Sequence, residues 1–134
     1  MRWLLLLILS LPPAVVASDY AVVVARATPL NSLDMKTLKS IFLRKRTFGN
    51  DVRLFPVNVL GEDAARKSFE KRVLKMDREE LNQYWIKSHF QGLSPPPTQA
   101  SFRSVKAFVE KVNGAIGYLP SSMVDDQLKV LHEF

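Results

Sequence analysis

The sequence predicts an α/β layered domain in which a mixed sheet is flanked by helices, and three observations carry that expectation. The first is Tyr20-Ala21-Val22-Val23-Val24-Ala25, a β-branched run that is apolar on both faces, as a strand covered on both sides should be. The second is a helix, a tight stop and a strand in direct succession near the C-terminus. Val105, Phe108, Val109 and Val112 fall at i, i+3, i+4 and i+7; Asn113-Gly114 follows, then Ala115-Ile116-Gly117-Tyr118-Leu119. The third is the alternation of strand-like and helix-like segments between these ends, the mark of layered α/β architecture.

In chain order, Thr28-Pro29-Leu30-Asn31-Ser32 is the loop after the first strand. Asp34 is a good helix N-cap, and Leu33 before it can staple onto Leu38; Leu38, Ile41 and Phe42 give the helix its inner face. Arg44 to Asp51 reads as a charged turn containing Phe48-Gly49-Asn50. Val52 to Val59 alternates toward a second strand, with Pro56 pointing to an edge or a bulge. Glu62 to Val73 is periodic through Ala65, Phe69 and Val73. Asp77 with Glu80 then forms a capping box, Met76 can staple onto Leu81, and Leu81, Tyr84 and Trp85 share an apolar face. Gly92 to Gln99 contains Pro95-Pro96-Pro97, which forces an extended crossover. Gly114 is expected in the left-handed region, Gly117 at a close approach of a backbone or ligand, and Leu128 to Leu131 in a last short strand.

Residues 1–17 are expected to be a signal peptide: Arg2 is a basic start, Trp3 to Leu11 an apolar stretch, and Ala14 to Ala17 a small-residue cleavage region. The apolar run is interrupted at Ser10 and Pro12-Pro13, too short for the roughly 20 residues a bilayer span needs. Cleavage after Ala17 leaves 117 residues, one domain over 18–134, periplasmic and not membrane-spanning. With no cysteine, disulfides and thiolate metal sites are excluded. Removing Arg2 leaves 18 basic against 13 acidic side chains, a formal +5 that favours acidic partners or anions, while export argues against nucleic acid.

Three runs, in this order, carry a family resemblance: Leu38-Lys39-Ser40-Ile41-Phe42-Leu43-Arg44-Lys45-Arg46, then Tyr84-Trp85 through Phe90-Gln91-Gly92, then Gly114-Ala115-Ile116-Gly117-Tyr118. Together they resemble the short phosphate-transporter-type substrate-binding proteins, relatives of the type 2 periplasmic binding proteins that serve ABC importers. The resemblance implies a single-lobe periplasmic-binding-protein-like domain over 18–134, no enzymatic activity and no cofactor. It also implies a small oxyanion such as phosphate as ligand and a membrane permease or sensor as partner.

An oxyanion site in such a fold needs free N–H groups at helix starts and hydroxyls in loops after strands. Thr28, Asn31 and Ser32 offer one such place, and Gly61 with the helix start behind it the other. In phosphate-binding relatives the second place carries a Ser-Gly-Thr-like run; here it reads Leu60-Gly61-Glu62-Asp63, and two carboxylates there repel an anion. The alternative is therefore a ligand-free interaction module that docks on a sensor kinase, chemoreceptor or permease.

Other candidates read as structural. Arg44-Lys45-Arg46 with Arg53 is a solvated turn in preference to a docking patch. Lys67, Lys71 and Lys75 form an outer helix face, with an Asp63–Lys67 pair at i,i+4. His89 packs or caps near Trp85; with His132 as the only other histidine and no cysteine, no metal site is expected. Asp125-Asp126 is a turn, and Tyr84, Trp85 and Phe90 are core by their helical spacing. No nucleophile elbow and no Gly-rich phosphate loop is present.

Overall fold

The computed structural model describes residues 18–134; the expected leader and its cleavage point lie outside them. Tyr20–Ala25 (β1) forms where the sequence places it, and Ala21 to Val24 are fully buried because both faces of the strand are covered. Asp34 caps Met35–Phe42 (α1), accepting the Thr37 N–H at 2.7 Å, and Leu38, Ile41 and Phe42 turn inward as their spacing requires. That hydrogen bond, ahead of all other influences, holds the Asp34 carboxyl below the usual carboxylate range.

The next stretch departs from expectation. Phe48–Gly49 (β2) and Val52–Arg53 (β3) form a hairpin, where the sequence suggested only a charged turn. Asn50 and Asp51 both adopt positive φ, 46° and 67°, which is the twist a two-residue hairpin turn demands. Asn and Asp tolerate that region better than other side-chain-bearing residues, so Asn-Asp serves in place of the usual Asn-Gly. The single strand expected over Val52 to Val59 is broken into short pieces with different partners. β3 pairs with β2, Phe55–Pro56 (β4) with the later strand Ala115–Pro120 (β7), and Asn58–Val59 (β5) with Thr98–Gln99 (β6). Pro56 sits on the sheet edge, where its missing N–H does least harm.

Ala64–Phe69 (α2) runs on into a π-helical turn, Glu70–Leu74, which closes with Lys75 in the left-handed region at φ 53°. Asp77 then caps Arg78–His89 (α3) through the Glu80 N–H at 2.8 Å. The proline segment stays extended and delivers β6. Phe102–Lys111 (α4) follows, capped by Ser101, and then β7 and Leu128–Glu133 (β8), two residues longer than the sequence suggested. Val105 and Val109 are buried, but Val112 is exposed, because α4 ends before it and the chain turns out at the stop.

The main sheet has the order β4-β7-β1-β8, with β1 antiparallel to both neighbours and β4 parallel to β7. Successive residues of β7 face opposite ways. Gly117 faces α4, and what passes close is side chains, not a backbone or ligand: a Cβ there would meet Val57 at 2.9 Å, Val105 at 3.0 Å and Val109 at 3.2 Å. Tyr118 faces α1 and α2, stacked on Phe69 with ring centroids 4.2 Å apart, and Phe42 and Phe134 complete the aromatic cluster. Among the described residues, no helix is long and apolar enough to cross a membrane.

Gly114 has φ 80°, and a Cβ there would also overlap the Arg53 carbonyl oxygen. Gly114→Ala should therefore destabilise by more than about 1 kcal/mol, the usual effect of strain at positive φ alone. Urea unfolding measures it, and an unchanged midpoint would show that the helix stop is built differently.

Candidate functional site

The expected site residues do not converge. Tyr20 is paired with Pro120 and Val24 with Ile116, so β1 runs against β7. Thr28, Asn31 and Ser32 follow the C-terminal end of β1 and so lie beside the start of β7. β4 and β7 run in the same sense, so Gly61, which follows β5, lies beyond the far end of the sheet. The two candidate places thus lie at opposite ends of the main sheet's strands, because β1 runs antiparallel to β7 while β4 runs parallel to it.

At the first edge, Thr28 is buried and its carbonyl accepts from both the Leu30 N–H and the Lys129 ammonium. Lys129 also donates to Asn31 Oδ1 at 3.2 Å, and Asn50 Nδ2 donates to the Ser32 carbonyl at 3.0 Å. These contacts fasten the loop to β8 and to the hairpin. A cleft of about 490 Å³ opens beside them, bordered by Thr28, Arg53, Phe55, Glu110 and Asn113.

At the second edge the Gly61 loop is held by two guanidinium groups. Arg78 donates to the Gly61 carbonyl at 2.6 Å and to Glu70 Oε1 at 2.8 Å; Arg66 donates to the Val59 carbonyl at 3.2 Å. Glu70 is only 5% exposed, and its Oε2 faces Arg66 Nε at 4.0 Å with no closer partner. A Cβ on Gly61 would crowd the Arg78 guanidinium at 3.2 Å but meet Arg66 only at an ordinary contact distance of 3.6 Å, so the glycine chiefly makes room for Arg78. Asp63 caps α2 by accepting the Ala65 N–H at 2.8 Å, in place of the expected pair with Lys67. Beneath the loop, buried Tyr118 donates to Asn58 Oδ1 at 2.9 Å, and burial pushes the Tyr118 hydroxyl's pKa up.

The arrangement supplies cationic donors, with the outward N–H groups of the half-exposed Arg78 open to an anion. It also places Asp63 and Glu62 at the helix start, where they oppose one. Neither arginine was singled out in the sequence. The Arg66–Glu70 spacing of i,i+4 was readable there, whereas Arg78 reaches Glu70 only because the π-helical turn brings α3 back. The remaining sequence candidates are absorbed locally. Arg46 donates to Thr37 Oγ1 at 3.2 Å, Lys45 lies over the Tyr84 ring at 5.5 Å, and Arg53 lies over the Phe55 ring at 5.1 Å. His89 is exposed against Phe90, itself 86% exposed and not core. Among the described residues no group of three or more His, Asp or Glu side chains is placed to hold a metal ion.

The sequence matches no family model and no curated protein. Solved structures do match. A Clostridium perfringens protein described as a phosphate ABC transporter substrate-binding protein, with bound phosphate, superposes at TM-score 0.68 and 22% identity over 85% of this chain and 44% of that one. An ABC-type phosphate transport receptor from Vibrio cholerae gives 0.65 and 22% over 86% and 46%. PstS from Borrelia burgdorferi gives 0.63 and 12% over 85% and 46%. At these identities the likeness is one of fold, and this chain spans less than half the length of each of them. The fold is that of a periplasmic-binding-protein-like single domain, a mixed sheet flanked by helices, as the sequence resemblance implied.

Glu70→Ala should destabilise by about 1.5–3 kcal/mol, the range for a lost hydrogen bond to a charged group, because Arg66 and Arg78 are exposed enough to rehydrate in its absence. Urea unfolding checks this; an unchanged midpoint would mean that the guanidiniums hold the loop without their shared carboxylate.

Proposed function

We propose that this chain is an exported, non-enzymatic binding module of the substrate-binding type, which meets a small oxyanion such as phosphate at the Gly61 loop and works with a membrane permease. The observation that carries this reading is the likeness over 85% of the chain to a structure with bound phosphate. The leader-like N-terminus and the basic balance of the remaining chain agree with work in the periplasm beside a membrane. Gly61, Arg66 and Arg78 are the anion-meeting residues in this proposal. Thr28, Asn31 and Ser32 belong to a separate loop, tied to Lys129 at the other edge of the sheet.

Binding at such a place is weak. A single lobe leaves the ion open to water, where each charged contact is worth far less than in an enclosed site. Asp63 already uses one helix-start N–H, and Glu70 already shares both guanidiniums. These two observations favour a second reading, a module that has kept the fold, lost the ligand and docks on a sensor kinase, chemoreceptor or permease.

Calorimetric titration with phosphate at low salt separates the two. Replacing Glu62 with Ser and Asp63 with Thr keeps a capping hydroxyl and removes two negative charges. Affinity should rise by a few-fold to about tenfold, the scale of dipole-linked charge effects at an exposed helix end. Micromolar binding by the unmodified protein would reject the lost-ligand reading. Binding by neither protein would reject the oxyanion reading and leave the docking module.

A further inference from the structure

A groove of about 670 Å³ runs between the π-helical turn and the start of α3, lined by Lys67, Lys71, Lys75, Met76 and Arg78, with Glu70 and Asp77. We infer that it is a binding site for a small anionic amphiphile, a molecule with one acidic head and an apolar body.

The volume lies in the range that takes a drug-sized ligand. Met76 is half-buried against the core, and the methylene stems of the lysines line the groove beside it, so its interior suits hydrocarbon. Lys67, Lys71 and Lys75 are exposed, and their ammonium groups have no carboxylate partner among the ion pairs of the described residues. The two acidic residues of the lining offset only part of that charge, against three lysines and Arg78. Glu70 is buried and pairs with Arg78 at 2.8 Å, and the Asp77 carboxylate caps α3. What faces a ligand is an apolar channel with a cationic rim, and an acid with a hydrocarbon body matches both.

The backbone supports the same conclusion. Lys75 N–H bonds back to the Glu70 carbonyl in a π-helical turn, Lys75 itself adopts φ 53°, and Met76 N–H reaches the same carbonyl at 3.1 Å. A lysine held there is strained where glycine would not be, and a π-helical insertion is itself uncommon in an ordinary helix. Together they widen the helix end and leave Lys75 on the groove wall. The solvated basic face expected from the spacing of these lysines is therefore the rim of a cavity.

Titration with anilinonaphthalene sulfonate, followed by its fluorescence, tests the inference. The dye should saturate a single site and be displaced by decanoate at much lower concentration than by decanol. Arg78 borders both this groove and the Gly61 loop, so inorganic phosphate, which has no hydrocarbon body, should displace the dye only at far higher concentration than decanoate. Lys71→Glu with Lys75→Glu should weaken dye binding about tenfold or more, since the exposed charges are reversed and not merely removed. Lys111→Glu on α4, away from the groove, should leave it unchanged, and circular dichroism confirms that each variant is folded. Equal competition by decanol, or unchanged dye affinity in the folded double variant, would overturn the assignment.

Discussion

The direction of β1 decides which polar loops share an end of the main sheet. β1 sits between β7 and β8 and runs against both, fixed by five register pairs from Tyr20↔Pro120 to Val24↔Ile116. A one-residue slip would exchange the faces of the strand and misplace its side chains against the helices. Because β1 is antiparallel, the loop that leaves it emerges at the opposite edge from the loop that leaves β5. The chain therefore has two polar edges with different characters. One is a hydroxyl- and amide-bearing loop tied down by Lys129; the other is a glycine loop clasped by Arg66 and Arg78.

The second edge depends on the core beneath it. Phe69, the last residue of α2, stacks on Tyr118 of β7, and its neighbour Glu70 begins the π-helical turn. The aromatic contact thus anchors the backbone from which Glu70 reaches both guanidiniums. Burying a carboxylate is unfavourable unless it is paired, and here Arg78 meets Oε1 at 2.8 Å while Oε2 has only the more distant Arg66 Nε at 4.0 Å; both arginines also bind backbone carbonyls. The cation-rich look of the edge is in large part structural. That is the physical reason the guanidiniums at this edge are largely engaged by the protein's own carboxylate and carbonyl oxygens.

Much of the fold was legible in the residues. The Asp34 and Asp77 caps announced the starts of α1 and α3, since a short polar side chain before an apolar stripe has few other uses. Asn113-Gly114 marked the end of α4, and the proline run excluded helix. The Phe48–Arg53 hairpin was hidden because Asn-Asp is an uncommon substitute for Asn-Gly at its turn. The candidate site was less legible for a topological reason. Local patterning shows that a strand exists, but its direction is set by partners distant in sequence, so the residues around Thr28 and Gly61 could not be placed relative to one another. Arg78 was invisible for the same kind of reason, because its partner Glu70 meets it across a turn whose π-helical form has no sequence signature.

Amide chemical-shift mapping during a phosphate titration locates an anion-binding surface residue by residue. Perturbed amides should cluster at Gly61 to Arg66 and at Arg78, with Thr28, Asn31 and Ser32 unmoved. Perturbations centred on Thr28 to Ser32 would refute that placement and return the ligand to the loop after the first strand.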